Sequence, residues 1–409
     1  MKKRRIVAFL SALIMLAAAL AGCRAGASDK RADLISDGGA VAPLSPNAGF
    51  SAAYTDLALK LLSACLEDGK NTLVSPLSVM EALAMMANGA CGETLGEMER
   101  VIGGGIPVSE LARYLAGFAA GGEELSLANS LWLREGFDID EEFLRKCSAF
   151  QGAGAYRAPF DRHTVDDIND WVSENTHGMI KSAVDYDTVR ASELLLCNAL
   201  YFDGKWERRY SDGDISDGYF TRESGARDEV RFMYSEEHSY LDDGKATGFI
   251  KPYKSGYSFV ALLPNEDVSL SDYVASMTGG TFIGMIKNAK DVPVETAIPK
   301  FSYDYDIEMS GALKALGMTK PFDAAKADFS ALGYYESGNI FISRVLHKAY
   351  ITVDEKGTKA GAATAADIKA TSDTGGLYSV TLDRSFVYAV IDDAYGLPVF
   401  IGAVTDIGK

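Results

Sequence analysis

Asp354-Glu355-Lys356-Gly357-Thr358-Lys359-Ala360-Gly361-Ala362-Ala363-Thr364-Ala365-Ala366-Asp367-Ile368-Lys369-Ala370-Thr371-Ser372 is a run rich in small residues that follows the strand-like stretch Ala349–Val353. Its composition alone would suit a linker. Its parity points elsewhere: Thr358, Ala360, Ala362, Thr364, Ala366 and Ile368 are small or apolar, whereas Lys359, Asp367 and Lys369 fall on the opposite parity. Side chains of a strand alternate between faces, so a strand made from this segment turns a charge-free face to a core and its charges to water. The segment reads as a loop built to become a strand.

The chain around it is strand-rich. Tyr257–Leu263, Val292–Phe301, Ile340–Ser343, Ala349–Val353, Phe386–Ile391 and Val399–Val404 read as strands separated by turn residues. The first half is more helical. Phe50, Tyr54, Leu57, Leu61 and Cys65 recur at helical spacing up to about Gly69, and Ser75-Pro76 opens a second helix with a serine cap and proline at its first position. Leu125–Leu133 reads as a strand, a helix holds Phe143 and Phe150, and Ile168–Ile180 reads as another helix. The almost wholly apolar Leu194–Phe202 suggests a strand buried on both faces. Helices toward the front and strands toward the back give an α+β domain over residues 49–409.

With 409 residues, 47% hydrophobic and 24% charged, the chain has an ordinary globular composition. A net charge of −17, with no Lys/Arg cluster beyond the first residues, argues against nucleic-acid binding. Residues 1–22 have a basic start, Lys2-Lys3-Arg4-Arg5, an apolar run from Ile6 to Leu20, and small residues before Cys23. They read as a lipoprotein export signal, with Cys23 lipidated and residues 23–48 a flexible tether, so that the protein is held on the bacterial envelope outside the cytoplasm. An ordinary signal peptide with Cys23 incidental is the alternative. Cys65, Cys91, Cys147 and Cys197 have no CxxC spacing and lie among apolar residues, as buried free thiols do.

Catalytic signatures are absent: there is no GxSxG, HExxH or P-loop, and Gly103-Gly104-Gly105 follows no strand. His163, His177, His238 and His347 lack ligand spacing, so neither a metal nor a cofactor is expected. The acidic pairs Asp166-Asp167, Glu236-Glu237 and Asp242-Asp243 read as solvated. No enzyme activity is expected.

Val353-Asp354-Glu355-Lys356-Gly357-Thr358 followed by small residues resembles the hinge of the serpins, and further motifs agree in order across residues 50–409. Asn71–Met98 with Ser75-Pro76 and Ser78, Asn198-Ala199-Leu200-Tyr201-Phe202 followed by Gly204-Lys205-Trp206, His347-Lys348-Ala349, and Leu397–Gly402 are all similar to that family's signatures. The resemblance implies the serpin fold, with helices packed around a large central β-sheet and smaller sheets, and an exposed reactive-centre loop at about 355–382. It implies a shutter of Ser75, Ser78, Asn198 and His347 beneath the central sheet, and a breach with Trp206 and a Lys300–Glu355 pair.

It also implies a monomeric suicide-substrate inhibitor of serine, or of cysteine, proteases, which traps the acyl-enzyme by inserting the cut loop as an extra strand. About fifteen residues at roughly 3.3 Å each would carry the protease some 50 Å. The hinge residues Glu355, Gly357, Thr358, Ala360, Gly361, Ala362 and Ala363 suit such burial, with Gly357 as pivot. Family spacing from Glu355 puts the reactive bond at Thr371-Ser372; counting back from Phe386 moves it toward Thr374, and Lys369-Ala370 is a further alternative. Thr371 suits a protease that prefers small uncharged residues, Lys369 a trypsin-like one. A non-inhibitory carrier or surface adhesin of the same fold, and a solute-binding lipoprotein, are the competing readings.

Overall fold

In the computed structural model, which describes residues 33–35, 41–118, 124–150, 153–358 and 378–407, helices dominate the described residues up to 118 and strands those after them. The first described helix, Ala48–Cys65, starts where the Asn47 side chain accepts the Phe50 N–H at 2.9 Å. It buries Phe50, Tyr54, Leu57, Leu61 and Cys65, and it stops at Cys65 because Leu66 is already extended. Pro76–Ala87 follows, with the Ser75 hydroxyl capping Ser78 N–H and proline in the first turn. Every residue of this helix is buried, so it is surrounded by other elements on all sides.

Two further helices, Gly92–Gly103 and Val108–Phe118, carry glycines that weaken their helical signal. Arg162–Asn175 begins earlier than the apolar spacing indicates, at a capping box between Asp161 and Thr164. It also ends before Ile180, because His177 and Gly178 adopt left-handed backbone with φ of 51° and 78°.

Among the described residues one sheet has seven strands and another nine. The first runs Ala153–Ala158, Leu125–Arg134, Leu194–Phe202, Arg344–Asp354, with Phe301–Glu308 on the far side of the last. Leu194–Phe202 is buried on both faces: Leu194, Leu196, Leu200 and Phe202 join the main core, while Leu195, Cys197 and Ala199 pack under the helix Arg162–Asn175 with Ile168, Trp171 and Val172. Ile340–Ser343 is not a strand. Ile340 and Ile342 are buried, but the Ile342 N–H bonds to the Pro321 carbonyl in a loop, and the strand begins at Arg344. The stretch read as Val292–Phe301 comprises two strands, Lys290–Pro299 and Phe301–Glu308, parted at Lys300.

Part of the segment read as a flexible tether rests on the domain. Leu34 N–H donates to the Ala155 carbonyl at 2.7 Å, extending the sheet beyond Ala153–Ala158, and Leu44 N–H donates to the Arg113 carbonyl at 2.9 Å. Leu34, Ile35 and Leu44 are half-buried apolar residues with a core to cover, and a segment with such contacts does not behave as a free linker.

Candidate functional site

The middle of the seven-stranded sheet is incomplete. Leu194–Phe202 and Arg344–Asp354 run parallel, and their pairing covers only Leu195–Ala199 against Arg344–Lys348. Beyond it the two strands part around an open pocket, lined by Leu200, Tyr201 and Phe202 on one lip and Tyr350, Ile351 and Thr352 on the other. At the mouth, Gly357 and Thr358 already sit between the lips. They pair antiparallel with Asp354 and Val353 on one side and with Lys205 and Gly204 on the other. Two parallel neighbours with a space between them can each accept one antiparallel strand, which then completes both ladders. Gly357 and Thr358 have that orientation.

Gly357 has φ 155°, and a Cβ there would lie 2.0 Å from the Gly204 carbonyl oxygen, so close approach to the neighbouring strand requires glycine. Thr358 is buried, its Oγ1 2.5 Å from the Tyr253 hydroxyl.

Below the cavity, polar groups from the buried helix meet both lips. Asn198 and His347 are register partners, one on each strand. The Ser78 hydroxyl donates to Asn198 Oδ1, and Asn198 Nδ2 donates to the Ser78 carbonyl at 3.2 Å and to Asn129 Oδ1 at 2.6 Å. On the other lip the Ser75 N–H donates to His347 Nε2 at 3.3 Å, which fixes that nitrogen as an acceptor. Burial pushes the His347 imidazole down to about 4, against the opposing pull of the Leu73 backbone and the Asp306 carboxylate. A neutral ring here costs nothing at physiological pH and keeps its acceptor.

Above the cavity, Trp206 is fully buried and stacks on Tyr253 at 4.5 Å, while its Nε1 donates to the Asp354 carbonyl at 2.8 Å. Its N–H donates to the Lys356 carbonyl, tying the chain entering the mouth to the sheet. Lys300 Nζ donates to Glu355 Oε2 at 2.5 Å with both side chains about 30% exposed, 31% and 28%. Burial raises the Glu355 pKa, but the Lys300 hydrogen bond, the backbone and the Lys300 and Lys356 charges outweigh it and hold the carboxyl below its ordinary value. Such a partly exposed pair contributes at most about 1 kcal/mol.

Beside Trp206 lies a feature with no clear signature in the sequence. Glu237 is not solvated: its Oε1 accepts from Lys251 Nζ at 2.6 Å, and the two side chains are 7% and 1% exposed. Strand alternation puts Glu236 outward and turns Glu237 in. Ser235 also donates to Glu237, and the ammonium lies 4.4 Å from the Tyr210 ring centroid and 5.4 Å from that of Trp206. Burial lowers the Lys251 pKa, countered chiefly by Glu237. Glu237→Ala strands this ammonium, so unfolding in denaturant should show a loss of about 3–5 kcal/mol. The double change Glu237→Leu, Lys251→Met should recover most of it; a single variant as stable as the parent contradicts this account of the pair.

Cys65, Cys147 and Cys197 are buried free thiols and Cys91 a half-buried one. Burial pushes Cys65 up to about 11 and Cys197 up to about 12, which keeps them unreactive. Ala360, Gly361, Ala362 and Ala363 of the hinge, the bonds Thr371-Ser372 and Lys369-Ala370, and Cys23 lie outside the described residues.

A family profile described as serpin (serine protease inhibitor) matches residues 52–407. Neuroserpin of Mus musculus is 29% identical over 360 residues, covering 82% of this chain and 86% of that protein. The crystal structure of tengpin, a thermophilic serpin, in the native state is 41% identical with a TM-score of 0.86, covering 92% of this chain and 99% of the other. Against tengpin in the latent state the TM-score is 0.79, with 90% and 100% covered. A complex of thyroxine-binding globulin with thyroxine shares the fold at 22% identity and a TM-score of 0.77, with 88% and 99% covered.

Proposed function

This chain belongs to the serpin family, and on that premise we propose that it inhibits proteases by serving as a false substrate and taking its own cut loop into the gap of the seven-stranded sheet. The observation that supports this reading is the start of the hinge: Gly357 and Thr358 are paired antiparallel to both lips at the mouth of an unfilled gap. Insertion of a serpin loop into a sheet is a known case of strand addition that releases stored strain. In chemical terms, the protease nucleophile attacks the carbonyl of Thr371, the amine of Ser372 leaves, and Thr371 remains as an ester, or a thioester, on the enzyme. Water would cleave that ester. Insertion moves the bound enzyme by tens of ångströms before it does so, and the triad and oxyanion hole that deacylation requires are distorted.

The same register can be continued downward residue by residue. It sets Ala360 between Ile351 and Phe202, Ala362 between Ala349 and Leu200, and Thr364 between His347 and Asn198. Thr358 pairs with the inward Val353, so the even positions would share its buried face and Lys359 and Asp367 would turn to the other. Thr371 at the cut suits a serine protease with a small uncharged pocket, and a bond after Lys369 would instead suit a trypsin-like enzyme. The lipidated Cys23 would hold the inhibitor on the outer side of a bacterial envelope; metabolic labelling with a fatty acid, lost in Cys23→Ser, checks this.

Residues 24–409 mixed with a panel of serine and cysteine proteases test the function. A complex that survives denaturation, with release of a C-terminal peptide whose mass begins at Ser372, is the expected result. Cleavage of the loop without a stable complex, for every protease that cuts it, would instead favour a carrier or adhesin on the same fold.

A further inference from the structure

Glu81 lies one turn after Ser78 on the buried helix Pro76–Ala87 and is 1% exposed. Among the described residues no ion pair reaches it. Asn129 Nδ2 donates to its Oε2 at 3.0 Å. Asn129 in turn accepts from Asn198, and Asn198 bonds twice to Ser78, so a ring runs from the helix through the two strands Leu125–Arg134 and Leu194–Phe202 and back to the helix. This ring ties one lip of the gap to the helix; the Ser75 N–H on His347 ties the other. We propose that Glu81, acting through Asn129, is a positioning residue of this latch, and that its protonation state sets how readily the gap opens to take a strand. The inference rests on the insertion reading above.

The groups facing Glu81 leave it uncompensated. Tyr54, from the helix Ala48–Cys65, donates to the Pro398 carbonyl at 2.7 Å and is kept protonated by burial and then by the charges of Glu81 and Asp392. His347, which accepts from the Ser75 N–H at the start of the same helix, is a neutral ring, and the neighbouring helix Val108–Phe118 buries Tyr114. Gly92–Gly103 contributes Thr94, Met98 and Ile102, and Leu397–Val404 is apolar. Burial therefore pushes the Glu81 carboxyl up to about 8, partly offset by Asn129. Opening the gap breaks the ring and admits water, which favours the charged carboxylate.

The sign follows from proton uptake. The shut form holds the Glu81 proton up to about 8 while a hydrated carboxyl releases it near 4.5, so opening gains about tenfold per pH unit between those values. His347 acts in the opposite sense, favouring opening as pH falls from 6.5 toward about 4. The two nearly cancel between about 4.5 and 6.5, and from 6.5 to 8 Glu81 dominates, for a gain of about tenfold.

The test uses the full chain and an acetylated, amidated peptide of residues 358–368 with a fluorophore, whose uptake reports an open gap. In the parent, uptake should rise about tenfold from pH 6.5 to pH 8, and in Glu81→Gln and Glu81→Met it should not rise. An equal rise in parent and variants overturns the proposal. If no variant takes up peptide at any pH, the insertion reading fails; hydrogen exchange in Leu194–Phe202 over the same pH range then decides the role of Glu81. A steeper pH dependence in the parent than in Glu81→Gln supports it, and superimposable profiles overturn it.

Discussion

On the proposed mechanism, Ala362→Pro and Thr358→Arg should each turn the chain into an ordinary substrate: the protease still cuts the loop, and the yield of denaturation-resistant complex falls steeply. Position 362 would lie between Leu200 and Ala349, in a strand flanked on both sides. Proline there removes a ladder donor and its ring clashes with the neighbouring backbone, at a cost of about 3 kcal/mol. Insertion competes with deacylation, and 3 kcal/mol on its barrier is roughly a 150-fold slower rate, enough to lose that race. At 358 the reason is already visible in the uncut chain. Thr358 is 3% exposed and bonded to the Tyr253 hydroxyl, whose ring stacks on Trp206, so an arginine has no room and no counter-charge. The check is the partition between complex and cut chain on a denaturing gel; full complex yield from either variant contradicts this account of the hinge.

Asn198→Ala is the second large effect. It leaves the Ser78 hydroxyl without its acceptor and Asn129 Oδ1 without its donor, both beneath the sheet. At about 1–3 kcal/mol for each buried group left unpaired, the loss is about 2–6 kcal/mol. The thermal midpoint should fall by roughly 10 °C, with spontaneous loss of inhibitory activity on storage. A midpoint within about a degree of the parent's would mean that the polar cluster does not hold the strands shut.

The capacity of Thr358–Ile368 to form a strand can be read in the sequence because that information is local. Parity along Thr358–Ile368 follows from the residues themselves, and the buried, inward Thr358 fits it. Ser75, Ser78, Asn198 and His347 are different: they lie up to 272 positions apart, and only the resemblance to a family connects them. Asn129 and Glu81 carried a fainter signal. Glu81 is a lone acid in the apolar run Leu77–Ala87, which is unusual for a helix buried on all sides, but nothing in the sequence says that Asn129 stands opposite.

Glu237 was hidden by its neighbours. In Ser235-Glu236-Glu237-His238 a charged stretch looks solvated, and only the partner strand bearing Lys251 explains why one acid of the pair turns inward. Ile340–Ser343 failed for the opposite reason. Alternating burial mimics a strand, yet a chain needs a neighbouring ladder to be one, and Ile342 bonds to a loop carbonyl instead.

A crystal structure of the loop-cleaved chain tests most directly whether the cut loop becomes a strand in one defined register. The account predicts residues 358–368 antiparallel to both lips, with Thr364 between Asn198 and His347 and the Ser75–His347 bond retained or replaced on the same face. A cleaved loop that stays outside, with Leu195–Ala199 still paired to Arg344–Lys348, or a register slipped by one residue so that Lys359 and Asp367 face the core, would contradict it.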